Sequence, residues 1–497
     1  MTADDPISDP RDPELAFGLV APVGTDTDGF ADRLATMLGG FGYKSNRVRL
    51  SGFLKKVAGP DGKPIVIEAP EVERLRTYMN AGNLLRKATK RNDILALMSA
   101  AHVKGMRREP PVMSKTAHLL LTLKHPEEVA ALRRIYGDGF FLIGVYESEE
   151  RRTANLMRRH GMTAEAAADT VQRDAEEEIG HGQQARQAFE LSDVFVPASA
   201  ADADAGLHRF LDLVFGCPFV TPTPEEHAMF LAYAASVRSG SLSRQVGAVI
   251  VSRTGEVIAA GANDAPKPGG GPYWPGEDDQ RDYVRGRDSN AAEIQEIVEE
   301  SARRVFKALH DGAEPDTAGL QPIIASLRSS RFAQITEFGR DVHAEMDAML
   351  TCARAGRSVR GATLYTTTFP CHNCAKHIVS AGIANVVFVE PYPKSKALAL
   401  HDDALVLEGP AGDRRVKLRP FVGIGARRFL DLFSLRLGAG RPTPRRRDGI
   451  YRSEWKRAEA APRVAMVPGS YLDREKASDW FVRRVLPGRM HANGGDA

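Results

Sequence analysis

His343-Ala344-Glu345 and Pro370-Cys371-His372-Asn373-Cys374 are the two runs on which the reading of this chain turns. Cys371 and Cys374 are three apart, which on the first turn of a helix puts both sulfurs on one side. His343 lies 28 positions upstream of Cys371. The segment between them reads as helix Val342 to Ala355, strand Thr363 to Thr367 and a second helix from His372 to Ala381, an order that returns both helix starts to one end. A His/Cys/Cys set leaves one position of tetrahedral Zn²⁺ open, as catalytic sites do, whereas structural sites are usually closed by a fourth ligand. Water in that position has its pKa lowered from 15.7 to about 7. Glu345 can take its proton and deliver it to a ring nitrogen and a departing amine. The competing reading is a structural zinc knuckle or a chance Cys pair, and it needs neither the His-x-Glu nor Pro370. Cys352, on the same helix as His343, reads as a small buried apolar residue. His372 would have to point away from the metal.

Outward from this centre, the same unit opens with a helix from Pro224 to Ser239 and two strands, Val246 to Ser252 and Val257 to Ala262, joined by the turn Arg253-Thr254-Gly255. A strand from Asn385 to Val389 closes it. Between the two halves lies an insertion: Pro266 to Pro275 is Pro/Gly-rich, after which Ile294, Ile297, Val298, Val305, Phe306 and Leu309 fall on one helical face. For this helix a lid and an oligomer interface are the two readings, the interface being favoured.

H-x-E with P-C-x-x-C is the signature of zinc nucleobase deaminases. The stretch Thr366 to Phe388 resembles the dCMP deaminase branch of the cytidine deaminase superfamily. Ser243-Arg-Gln-Val-Gly-Ala-Val-Ile-Val251 is similar to its opening strand, and Gly261-Ala-Asn263-Asp-Ala-Pro to its Asn-containing loop. The resemblance spans roughly Pro224 to Pro393 and implies that Asn263 faces the deoxyribose; a plain turn role in a left-handed backbone competes with it. Tyr392 either stacks on the base or caps its strand.

The front of the chain reads as strand, turn and helix: Leu15 to Pro22 is apolar, Val23 to Asp28 turns, and Phe30, Leu34, Met37 and Leu38 recur at helical spacing. Strands at Ala117 to Leu123 and Phe140 to Tyr146 with a helix from Pro126 to Tyr136 between them suggest a doubly wound parallel sheet. Gly18 to Asp26 approximates a P-loop but has one residue too many between its glycines and no lysine. With Lys124 to Arg133, Arg151-Arg152 and Arg173-Asp174, the front resembles P-loop nucleotide kinases that have lost their catalytic lysine, so a regulatory nucleotide at Gly18, Gly24 and Thr25, or a purely scaffolding role, is expected rather than phosphoryl transfer.

A P-loop kinase-like unit fused before a dCMP-type deaminase resembles the bacterial anti-phage dCTP deaminases, and Arg340 to Met349 fits that family. The resemblance implies one Zn²⁺ per chain, conversion of dCTP and dCMP to the uracil forms, dCTP depletion against phage, homo-oligomerisation, and in some members restraint by a small RNA. A housekeeping dCMP deaminase feeding dUMP and dTMP synthesis and a nucleic-acid cytidine deaminase are the alternatives.

The expected fold class is α/β, a P-loop kinase-like parallel sheet followed by a cytidine deaminase-like α/β/α sandwich. Boundaries are placed at 1–205, 206–410 with the insertion at about 266–340, and an Arg/Pro-rich extension at 411–497, with Pro197 to Gly206 as a small-residue linker and the end of a helix from Leu207 to Phe215 as the alternative boundary. The 497 residues include 43% apolar ones, and 67 basic against 64 acidic residues leave +3. That balance excludes a strongly basic nucleic-acid coat or an acidic tail. Arg441 to Arg457, with Tyr451 and Trp455 interleaved, reads as a solvated arm or subunit contact, with RNA binding as the rival. Four cysteines are too few for a disulfide framework. Thr2 to Glu14 carries no signal-peptide pattern and no apolar run reaches membrane-spanning length, so a cytoplasmic protein without a membrane partner is expected.

Overall fold

The computed structural model describes residues 12–58, 64–66, 71–176, 184–198, 200–330, 332, 335, 337–390, 395–410, 412–447, 450–451 and 454–486. The chain divides into two compact units, Met1–Glu226 with Val422–Ala497, and His227–Phe421.

In the first unit five parallel strands form one sheet: β1 (Leu15–Val20), β2 (Lys44–Arg49), β3 (Thr116–Leu123), β4 (Phe140–Tyr146) and β5 (Val194–Pro197). Their order across the sheet is β5-β4-β1-β3-β2, extended beyond β5 by the short antiparallel strand Gly423–Ile424. β1 and β4 are apolar and buried almost throughout, as strands covered on both faces must be. Phe17, Phe141 and Phe210 meet at centroid distances of 5.7 to 6.3 Å in the core beneath the helices Thr27–Gly39 and Ala200–Val214.

Three expectations change here. The segment expected as a linker at 197–206 enters a helix at Ala200, because Ala203, Leu207, Phe210, Leu211 and Val214 recur at helical spacing and are buried. The division consequently falls at Glu226 rather than at 205, the helix Ala200–Val214 belonging to the front core. The residues expected as a C-terminal extension are part of the front unit: Gly423–Ile424 pairs with β5, and the helix Pro468–Val485 lies against the helices Ile94–Met106 and Pro126–Tyr136. Within the basic stretch, Arg441 and Arg445 donate to the carbonyls of Pro462 and Pro218, Arg457 pairs with Asp212 at 2.8 Å, and Trp455 lies 6.1 Å from the Phe41 ring. Much of its aromatic and cationic character is spent inside the unit; the Tyr451 side chain lies outside the described residues.

The second unit is a mixed sheet of β6 (Gly247–Val251), β7 (Val257–Ala262), β8 (Thr363–Thr368), β9 (Asn385–Glu390), β10 (Leu405–Leu407) and β11 (Val416–Pro420), ordered β10-β11-β9-β8-β6-β7. β6 runs antiparallel to β7 and β8; the rest are parallel. Ala248 and Ile250 pack with the helices Ala344–Arg354 and His372–Ala381, whereas Gly247, on the opposite face, approaches the helix Pro224–Ser236. The layering is therefore helix, sheet, helix. The insertion folds as the helices Ser289–Leu309 and Thr317–Arg328 around Val298, Ala302 and Ile324. No helix among the described residues is long and apolar enough to cross a membrane.

Candidate metal centre

His343 and Cys371 are both N-cap residues, in extended backbone immediately before the helices Ala344–Arg354 and His372–Ala381. Two helix amino termini therefore face one point, and their orphan amides favour negative charge there. Cys371 Sγ accepts the Cys374 N–H at 3.4 Å, the interaction a serine or aspartate would make in a capped helix.

What brings the two helices together is the sheet. Adjacent parallel β8 and β9 flank the second helix, while β7 carries the first at close range. A Cβ on Gly261 would lie 2.4 Å from the Ala344 carbonyl oxygen and 2.4 Å from the Ala348 nitrogen, so only glycine lets that helix approach. Asp347 accepts the Ala262 N–H at 3.2 Å, and Asp264 exchanges backbone hydrogen bonds of 3.2 and 3.0 Å with Val342, the residue before His343.

His343 Nδ1 lies 3.3 Å from both Cys371 Sγ and Cys374 Sγ. Their ligand atoms all fall within 4.8 Å of one another. Tetrahedral coordination at about 2.3 Å to sulfur and 2.0–2.1 Å to nitrogen separates neighbouring donors by roughly 3.5 Å, so the donor set fits one ion through Nδ1 and two thiolates. A hydrogen bond from Cys374 and the His343 ring hold the Cys371 thiol at about 3, and in turn the hydrogen bond to Cys371 lifts His343 to about 9. Cys374 is driven above the usual thiol range by its hydrogen bond to Cys371 and by burial. Glu345 Oε2 sits 3.5 Å from Cys374 Sγ. Burial raises the Glu345 carboxyl above its usual range.

The other expected residues divide. Cys352 is buried in the apolar core, as expected of a small hydrophobe. Asn263 is 6% exposed and spends its amide on its own chain: Oδ1 accepts the Val246 N–H at 2.6 Å and Nδ2 donates to the Arg244 carbonyl at 2.8 Å. Its backbone is not left-handed. In this arrangement it pins the start of β6. Tyr392 lies outside the described residues. In the front unit, Gly24 and Thr25 line a cavity with Lys124 and Asp174. The expectation for Gly18 does not hold, because it sits inside β1, where a Cβ would meet Leu123 and Phe140 side chains at 2.8 Å. The assembly of Lys124 and Asp174 around the turn was not assigned from sequence, since the two residues are 50 positions apart and neither belongs to the loop.

The profile of the cytidine and deoxycytidylate deaminase zinc-binding region matches residues 222–390. Deoxycytidylate deaminase of Enterobacteria phage T4 is 31% identical over 170 residues, covering 33% of this chain and 77% of that protein. ComE operon protein 2 of Bacillus subtilis is 45% identical over 53 residues, 11% of this chain and 28% of that one. A crystal structure of dCMP deaminase from the cyanophage S-TIM5, in complex with dCMP and dUMP, has a TM-score of 0.24 and 19% identity over 41% of this chain and 100% of that chain. The cofactor of the matched region is Zn²⁺. Through its second unit, the chain belongs to the cytidine and deoxycytidylate deaminase family.

Proposed function

We propose that the second unit hydrolyses the exocyclic amine of deoxycytidine nucleotides, turning dCTP into dUTP and dCMP into dUMP with release of ammonia. The observation that carries the reading is the buried Glu345 carboxyl beside the convergent His343, Cys371 and Cys374 donors. In this reading those three residues hold the metal. Zn²⁺, when bound, supplies Lewis acidity that brings a coordinated water toward neutral pKa. Glu345 performs the proton traffic: its carboxylate takes one proton from the attacking water and passes it to the ring nitrogen, then takes the second from the added hydroxyl and passes it to the departing amine, so that water and substrate leave as carbonyl product and ammonia. The helix termini before Ala344 and His372 hold the thiolates and the carboxyl at fixed positions, so no reorganisation is required during the reaction.

The deoxynucleotide substrate is supported by the phage T4 relative, whose name states that it acts on deoxycytidylate. That same likeness favours a second reading, a dCMP deaminase supplying dUMP. Use of dCTP, and dCTP depletion as a defence against phage, rest on the resemblance of a parallel front sheet with a glycine turn after its first strand, fused ahead of a deaminase. Incubation with dCTP, dCMP, CTP, cytosine and a cytosine-containing single strand, followed by product separation, tests the assignment. Uracil products from the two deoxynucleotides and none from cytosine are expected. Activity on the oligonucleotide alone overturns it, and activity on dCMP without dCTP selects the second reading.

A further inference from the structure

At the C-terminal ends of β1, β2 and β3 the front unit encloses a cavity of about 540 Å³. That size lies within the range of small-ligand sites. Arg49, Lys124 and Arg159 line it, each paired with an aspartate of the same lining (Asp28, Asp174 and Asp26), while Leu75, Tyr78 and Met79 add apolar and aromatic surface, so the lining is divided between charged and apolar side chains. An anionic head with an apolar ring system suits that division.

Although the turn after β1 has no lysine of its own, a lysine reaches it from elsewhere. Lys124, directly after β3, donates from Nζ to the Ala21 carbonyl at 2.9 Å and to Asp174 Oδ1 at 3.1 Å. The second oxygen of Asp174 accepts the Val23 N–H at 2.8 Å. A buried carboxylate from the helix Ala164–Glu176 is thus gripped by one loop amide and one lysine, a donor pair suited to a phosphate oxygen. The turn keeps the tight geometry that such a grip requires. Gly24 has φ +86°, and a Cβ there would lie 2.6 Å from the Arg152 carbonyl oxygen. Beside it the Thr25 hydroxyl is buried and has no hydrogen-bond partner among the described residues.

We propose that this cavity binds a nucleoside 5′-phosphate and that Asp174 occupies the phosphate position until the ligand displaces it from Lys124 and the Val23 amide. Asp174 is then an internal competitor, and occupancy is conditional on ligand concentration. The inference concerns the front unit alone and stands whether or not the deaminase assignment holds.

Fluorescence titration of the full chain with mant-ATP, with inorganic pyrophosphate as competitor, tests it. Asp174→Asn keeps the shape and removes the charge, and is expected to tighten mant-ATP binding by about tenfold. Lys124→Ala is expected to abolish binding and, combined with Asp174→Asn, to cancel the gain, since the two residues act as one pair. Pyrophosphate is expected to displace mant-ATP. No tightening in Asp174→Asn, or a gain that persists without Lys124, overturns the proposal, as does failure of pyrophosphate to compete. Should Asp174→Asn lower the melting temperature, Arg49→Ala replaces it: weakened mant-ATP binding supports the site and unchanged binding contradicts it.

Discussion

Cys371 has two duties on one sulfur, capping a helix and facing His343. Substitutions can separate them. Cys371→Ser keeps a capping acceptor, so it should lose zinc while leaving the apo-protein's stability near that of wild type. Cys371→Ala should lose zinc and also about 1 kcal/mol of apo stability, the usual worth of an N-cap. Metal analysis with denaturation of the metal-free proteins checks both, and full zinc retention in either variant would contradict the ligand assignment. The convergence of the three donors was legible in the sequence from their spacing together with the signature they match, whereas the role of Glu345 rests on that signature and stays a proposal. The contacts of Asn263 were not legible, since an asparagine that hydrogen-bonds its own loop has the same letter as one that awaits a sugar.

At the scale of elements, the closeness of β7 to the helix Ala344–Arg354 decides where His343 stands. Gly261→Val places branched carbon against the Ala344 carbonyl. Overpacking of this kind costs about 1–3 kcal/mol, and here the strain falls on the turn that presents a ligand. Zinc affinity should therefore drop together with stability, whereas Gly255→Val, at an open turn, should spare zinc whatever it costs in backbone strain. Equal zinc affinity in wild type and Gly261→Val would dissociate the helix position from the site. Elements with a clear apolar period, such as β4, β7 and the helices Pro126–Tyr136 and His372–Ala381, were readable to within a residue or two. Lys44-Ser-Asn-Arg-Val-Arg49 was missed as β2 because in this edge strand only Val48 is buried, so there is no apolar alternation to show. The helix Pro468–Val485 was missed for a different reason: Glu475 and Ser478 are among its buried residues, so polar letters stand where apolar ones are sought.

At the scale of the whole molecule, the front unit is closed by a charged cluster that joins the two ends of the chain. Glu14 Oε1 accepts from Arg107 at 2.8 Å and from Tyr471 at 2.7 Å, Glu14 Oε2 meets His118 at 2.7 Å, and Arg107 also pairs with Glu475 at 2.6 Å. Burial pushes the Glu14 carboxyl up, but the hydrogen bonds from His118 and Arg107 prevail and hold it at about 2, below its usual 4.5. A depressed carboxylate stabilises the fold above its unfolded pKa and loses that contribution as the pH falls through the folded one. Glu14→Gln should therefore cost about 3 kcal/mol at pH 7, with the deficit relative to wild type shrinking between about pH 4.5 and pH 2. Urea denaturation across that range checks the sign; a deficit independent of pH would mean that the cluster acts by packing. The second unit carries the chemistry, and its central claim is the division of labour between three donors and one carboxyl. The most direct test assays zinc-loaded wild type and Glu345→Gln side by side for ammonia and uracil-nucleotide release from dCMP and dCTP. Equal zinc content, with deamination by wild type and a loss of about 10²–10⁴-fold in the variant, is the predicted result; comparable rates in the two proteins, or no deamination of either nucleotide by zinc-loaded wild type, would contradict it.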